Sequence, residues 1–142
     1  MRLIRYILTV GLVLGMGSVN AMAEVVAVVS AKNPMTTLTR NQLSDIFLGK
    51  NNRFPDGGPA VPIDQDEASP RRAEFYSSIV GRTPAQLKVH WSKIIFTGRG
   101  SPPQQVGGDA DVKKTLANNP AAIGYIDSSA VDASVRVVKI AP

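Results

Sequence analysis

Between Asp64 and Arg72 the chain reads D-Q-D-E-A-S-P-R-R, a dense run of charged and hydrogen-bonding side chains. Ser69 is a good helix N-cap, and Pro70 suits the first helical position, where a missing N–H costs nothing. Arg71 and Arg72 then fall in the first turn. Cations are disfavoured at the positive end of a helix macrodipole, and anions are favoured there. Two arginines beside free N–H groups make sense if an anion sits between them and the helix end. The chemistry that follows is oxyanion binding; the alternative is a pair of solvated surface arginines. The acidic trio Asp64, Asp66 and Glu67 raises acid–base or hard-cation chemistry. The calcium-loop spacing with its closing Glu is absent, however, and no histidine is adjacent. The trio is expected to balance Arg71 and Arg72 or to orient the loop.

Other candidates carry less. His90, the single histidine, lies beside a Leu87–Trp91–Ile94 stripe and lacks catalytic or metal-binding partners. It reads as a packing residue or helix-flank donor, and Trp91 as core. Gly98-Arg99-Gly100-Ser101 has backbone donors to wrap an anion, but a plain surface loop is an equal reading, and no Gly-Lys-Ser/Thr follows as in a nucleotide-binding loop. Ser69, Ser77 and Ser78 lack a nucleophile-elbow context. The chain has no cysteine, which removes disulfides, thiol catalysis and cysteine–zinc sites. No cofactor, metal or catalytic constellation is indicated, and the chain is not expected to be an enzyme.

Alternating strands and helices position the Asp64–Arg72 loop. Glu24–Ser30 (E-V-V-A-V-V-S) is a continuous apolar run, expected as a strand covered on both faces in a parallel sheet. Ala31–Thr37 is loop. Thr39 and Gln42 form a capping box that opens a helix carrying Leu43, Ile46 and Phe47, ended by Gly49. After a turn-rich stretch, Ala60–Ile63 is a short strand, and the helix after Ser69 runs to Gly81. Thr83 and Gln86 form a second capping box, opening a helix with Leu87, Trp91, Ile94 and Ile95 as its core stripe. Gly98–Gly108 reads as loop. A helix from Asp109 or Asp111 carries Val112 and Leu116, Ala122–Ile126 is a buried strand, and Ser134–Ile140 a final alternating one. This order predicts a three-layer α/β domain with a largely parallel sheet. In such a sheet ligands gather at the carboxyl ends of the strands, where the Asp64–Arg72 loop falls.

The first 23 residues stand apart. Arg2 and Arg5 precede an apolar run from Tyr6 to Val19, and Ala21-Met22-Ala23 is a small-x-small cleavage site. This is the pattern of a secretory signal peptide rather than of a membrane span. Cleavage leaves Glu24–Pro142 as one domain, and with no cysteine to lipidate it is expected to diffuse freely in the periplasm. The net charge of +5 falls to +3 when Arg2 and Arg5 leave, since 14 basic residues then face 11 acidic ones. That balance suits small anions, but with scattered cations and few aromatics it is no nucleic-acid footprint.

Four stretches together carry a family resemblance. Leu38–Lys50 reads LTRNQLSDIFLGK, Val61–Tyr76 VPIDQDEASPRRAEFY, Trp91–Pro103 WSKIIFTGRGSPP, and Asn119–Asp127 NPAAIGYID. In this order and spacing the chain resembles the periplasmic phosphate-binding proteins of ABC transporters, and more closely their short, single-lobe relatives. The resemblance implies a three-layer αβα lobe of the type II periplasmic-binding-protein fold and recognition of a tetrahedral oxyanion. The family loop Arg-x-Asp-x-Ser-Gly-Thr matches Asp64–Pro70. Asp66 falls on the family aspartate, which accepts a proton from monohydrogen phosphate and repels sulfate. Asp64 replaces the family arginine, Ser69 lies one place along from the serine, and Arg71 or Arg72 stands in for the missing charge. The oxyanion ligands implied are Gln65, Asp66, Ser69, Arg71 and Arg72. The partners implied are inorganic phosphate or a similar oxyanion, and an ABC permease or a membrane signalling protein. A chain of this length has no room for a second lobe that closes on the ligand. Weak binding, binding as a homodimer, and loss of binding in favour of an interaction role all remain open.

Overall fold

The structure, a computed structural model, describes residues 24–142; the expected signal peptide, 1–23, lies outside them. In chain order the elements are β1 (Val25–Ser30), β2 (Thr37–Thr39), α1 (Arg40–Phe47), β3 (Val61–Gln65), α2 (Pro70–Phe75), a π-helical turn (Tyr76–Val80), α3 (Pro84–Phe96), β4 (Gln104–Val106), α4 (Asp109–Asn118), β5 (Ala122–Asp127), a 3-10 turn (Ser128–Ala130), β6 (Val135–Val137) and β7 (Lys139–Ala141). The central sheet has the order β4-β3-β5-β1-β6. β3 pairs in parallel with β4 and β5, whereas β1 is antiparallel to both β5 and β6. Four strands therefore share one direction and β1 alone opposes them. A separate parallel ladder joins β2 to β7.

The period-two geometry of the strands divides the core between two faces. On one, Ala27, Val29, Ile123 and Tyr125 pack with Leu43, Ile46, Phe47, Phe75 and Tyr76. On the other, Val28, Ile63, Ala122 and Ile126 pack with Val112 and Leu116 of α4. The result is the expected three-layer αβα arrangement. Both capping boxes form: the Thr39 and Thr83 hydroxyls accept from the N–H groups of Gln42 and Gln86, whose side chains return the bond.

Four details correct the sequence reading. β1 is buried on both faces but antiparallel to both neighbours, because an apolar run reports burial and not strand direction. The Gly98–Gly108 stretch contains β4, whose Gln-Gln-Val has no apolar alternation and is held by its ladder to β3. The C-terminal strand is two: β6 pairs with β1, β7 with β2, and the break falls at buried Val138. The helix after Ser69 changes to π-type hydrogen bonding at Tyr76 before Gly81 ends it with φ +74°.

Gly124 sits where α4 crosses β5. A Cβ there would lie 2.7 Å from Val112 Cγ1, closer than side chains approach. Gly124→Ala is expected to lower stability by about 1–3 kcal/mol through overpacking, read as a lower urea midpoint. An unchanged midpoint would mean that α4 retreats freely.

Candidate functional site

At the carboxyl ends of β3 and β5 the alternation of β3 sends neighbouring side chains to opposite faces. Asp64 turns towards α2 and the aromatic core; Gln65 turns towards α4. Both are essentially inaccessible to solvent.

Asp64 is the centre of a buried network. Its Oδ2 accepts from the Tyr76 hydroxyl at 2.7 Å, and its Oδ1 accepts from the Tyr125 hydroxyl. The Gln65 N–H is shared between Asp64 Oδ1 and the Tyr125 oxygen. Arg72 Nε lies 3.4 Å from Oδ2, an ion pair whose angle leaves that buried N–H without a formal hydrogen bond. The Arg72 guanidinium also stands 5.1 Å from the centre of the Tyr76 ring, one helical turn on. The Tyr125 ring is stacked on Phe75 at 4.1 Å, and Phe75 meets Phe47 edge-on at 4.7 Å. The carboxylate is thus walled by aromatic rings. Burial first, then the Asp64 charge, pushes both tyrosine hydroxyls far above the ordinary phenol range.

The candidate oxyanion residues come together, but largely through bonds to one another. The Ser69 hydroxyl caps α2 by accepting from Arg71 N–H, and donates to Gln65 Oε1 at 2.6 Å. The Gln65 amide nitrogen donates to Asp109 Oδ1 and to the Tyr125 carbonyl. Arg71 pairs with Asp127 at 3.2 Å and more distantly with Glu74. Partial burial opposes ionisation of Asp127, but bonds from the Ser129 hydroxyl and N–H, with the Arg71 charge, hold its carboxyl below the usual range. Asp66 is exposed and accepts from Ala68 N–H within the loop. The outer nitrogens of Arg72, by contrast, have no hydrogen bond or ion pair to any acceptor among the described residues. Arg72 lines a cleft of about 510 Å³ with Tyr76, Leu87, Trp91 and Lys88.

The acidic trio does not converge. Asp64 points inward, and Asp66 and Glu67 outward. Among the described residues no group of three acidic or histidine side chains could hold a metal ion. His90 Nε2 meets the Leu48 carbonyl at 2.8 Å; a carbonyl only accepts, so the ring donates and ties α3 to the end of α1. In the glycine-rich loop the N–H groups of Gly98 and Arg99 turn back to Ile95 and Ile94 and close α3, so they do not form an anion nest.

Sequence reasoning missed Tyr76 and Tyr125 as partners of Asp64, and Asp109 and Asp127 as partners of Gln65 and Arg71. Tyr76 lies four residues after Arg72, a spacing that places both on one helix face. Nothing local ties Tyr125 to Asp64 or Asp127 to Arg71.

This arrangement can be set beside known proteins. No protein-family profile matches the chain. Solved structures do. A phosphate ABC transporter substrate-binding protein from Clostridium perfringens, crystallised with bound phosphate, superposes with a TM-score of 0.65 and 28% identity over 83% of this chain. The fold is that of the phosphate substrate-binding proteins. An ABC-type phosphate transport receptor from Vibrio cholerae matches with a TM-score of 0.66 at 23% identity over 83% of the chain, and PstS from Borrelia burgdorferi with 0.63 at 13%. In each the chain spans under half of the larger protein: 45%, 46% and 47%. The family resemblance read in the sequence therefore holds in three dimensions. Among the described residues no helix is long and apolar enough to cross a membrane.

Proposed function

We propose that the chain is an exported, periplasmic solute-binding protein for phosphate or a similar oxyanion, working with an ABC permease. The observation that carries this reading is the match, across most of the described residues, to a receptor solved with bound phosphate. Arg72 supplies the positive charge, since its outer nitrogens open onto a cleft while Asp64 fixes its base. Asp66 supplies discrimination, because an exposed carboxylate accepts the proton of monohydrogen phosphate and repels sulfate. Gln65, Ser69 and Arg71 join only by exchanging present partners, which costs part of the binding energy and makes the affinity modest.

A second reading is favoured by that same internal pairing. A module whose serine, glutamine and one arginine are already committed has lost the ligand and contacts a membrane protein instead. Calorimetric titration of the processed protein with phosphate, with sulfate as control, decides between them. Saturable heat with phosphate alone supports the receptor, and Asp66→Asn is then expected to narrow the preference over sulfate by about tenfold, roughly the weight of one charge-assisted bond. A folded protein that gives no heat with either anion supports the second reading.

A further inference from the structure

From Phe75 to Gly108 the sequence contains Arg82, Lys88, Lys93 and Arg99 and not one Asp or Glu. This stretch alone carries +4, against +3 for residues 24–142 as a whole, so the remainder is nearly neutral. α3 lies in its middle. Leu87 and Trp91 are the buried residues of that helix. Val89 and Phe96, seven residues apart and so on one face, point the opposite way. They are 54% and 93% exposed. Lys93 lies between Val89 and Phe96 along the helix, Lys88 flanks them, and Arg99 follows the turn that ends it.

We infer that this face of α3 is a docking surface for an anionic lipid bilayer, with Phe96 and Val89 entering the headgroup boundary and Lys93 and Arg99, flanked by Lys88, at headgroup level. A second copy of the chain fits poorly, because matching faces would bring Lys93 and Arg99 of one copy against the same cations of the other. The bilayer fits better than an acidic protein for a reason of shape. Phe96 is the last residue of the helix and stands out from the surface, where a soft acyl boundary receives it without a complementary pocket. Cations with no acidic residue along the same stretch of chain suit a surface of diffuse negative charge.

The test is co-sedimentation of the exported and processed protein with vesicles. Mixed phosphatidylglycerol–phosphatidylcholine vesicles are expected to carry the protein down, and pure phosphatidylcholine vesicles to leave it in solution. Salt at about 0.5 M should release it, as screening at that strength reaches only a few ångströms. Phe96→Ser and the pair Lys88→Glu/Lys93→Glu are each expected to weaken binding by about tenfold or more. These side chains lie outside the core, so unchanged circular dichroism separates lost binding from lost folding. Equal binding to both vesicle types, or full binding by Phe96→Ser, overturns the inference. So does failure to bind anionic vesicles, which would turn attention to an acidic protein partner.

Discussion

Asp64→Ala is expected to lower the unfolding free energy by about 3–5 kcal/mol, the cost of breaking a buried ion pair by removing one partner. The magnitude comes from what is left behind more than from the pair itself. Without the carboxylate, the hydroxyls of Tyr76 and Tyr125 and the Nε of Arg72 all lose the group they face. An unsatisfied buried donor costs about 1–3 kcal/mol. The Arg72 side chain keeps 18% of its surface exposed, so its charge is partly screened and the lower half of the range is the better expectation. Asp64→Asn keeps one acceptor oxygen and should fall between the two proteins. Urea denaturation with an unchanged slope measures both, and a loss below about 1 kcal/mol for the alanine variant would show that solvent replaces the carboxylate without penalty.

The same residue bears on function. The family pattern has an arginine where Asp64 stands. Here the charge at that point is reversed, and the network built on it neutralises Arg72 from behind. Arg71 is likewise met by Asp127. On the function proposed above, an incoming anion meets two arginines that already have carboxylates. Binding would then gain from the geometry of the outer Arg72 nitrogens more than from net charge, and it should weaken less steeply with salt than a site of unpaired cations would.

How much of this was legible in the chain depends on range. Capping boxes at Thr39 and Thr83, the Ser69-Pro70 helix start and the glycine stops are local, and each formed as the residue types dictate. The layer order followed from strands alternating with helices. Strand direction did not, because β1 is equally apolar whether its neighbours run with it or against it. β4 was invisible, since Gln104 and Gln105 gain their extended form from the β3 edge and not from their own propensity. At the site, the expectation that the acidic residues balance the arginines holds for Asp64 with Arg72. Arg71 finds Asp127 instead, from a strand far along the chain. The tyrosines were passed over because a Tyr in an apolar run reads as core. Tyr125 is core by its ring and site by its hydroxyl, and only the tertiary fold brings that hydroxyl to Asp64.

Tyr76 and Tyr125 are the only tyrosines after residue 23, which makes the network directly observable. Neither should ionise while the protein is folded near the ordinary phenol pKa of 10.0, because burial first, and the facing Asp64 carboxylate second, disfavour the phenolate. The unfolded chain has no such restraint. Below pH 10 both states hold the two protons and the full stability is present. As pH rises past 10 the unfolded state releases them and the folded state does not, so stability falls by about 2.7 kcal/mol per pH unit for two groups. A domain at the low end of ordinary stability, about 5 kcal/mol, is exhausted within about 2 pH units at that slope. The tyrosinate absorbance of the processed protein is therefore expected to appear in one abrupt step, coincident with loss of the circular dichroism signal. Tyr76→Phe should halve the alkaline slope as well as lower stability at neutral pH, since Asp64 then loses one donor. A smooth titration centred near pH 10 in a protein that keeps its circular dichroism would sink the idea that these hydroxyls are locked onto Asp64, and with it the account of how Arg72 is held.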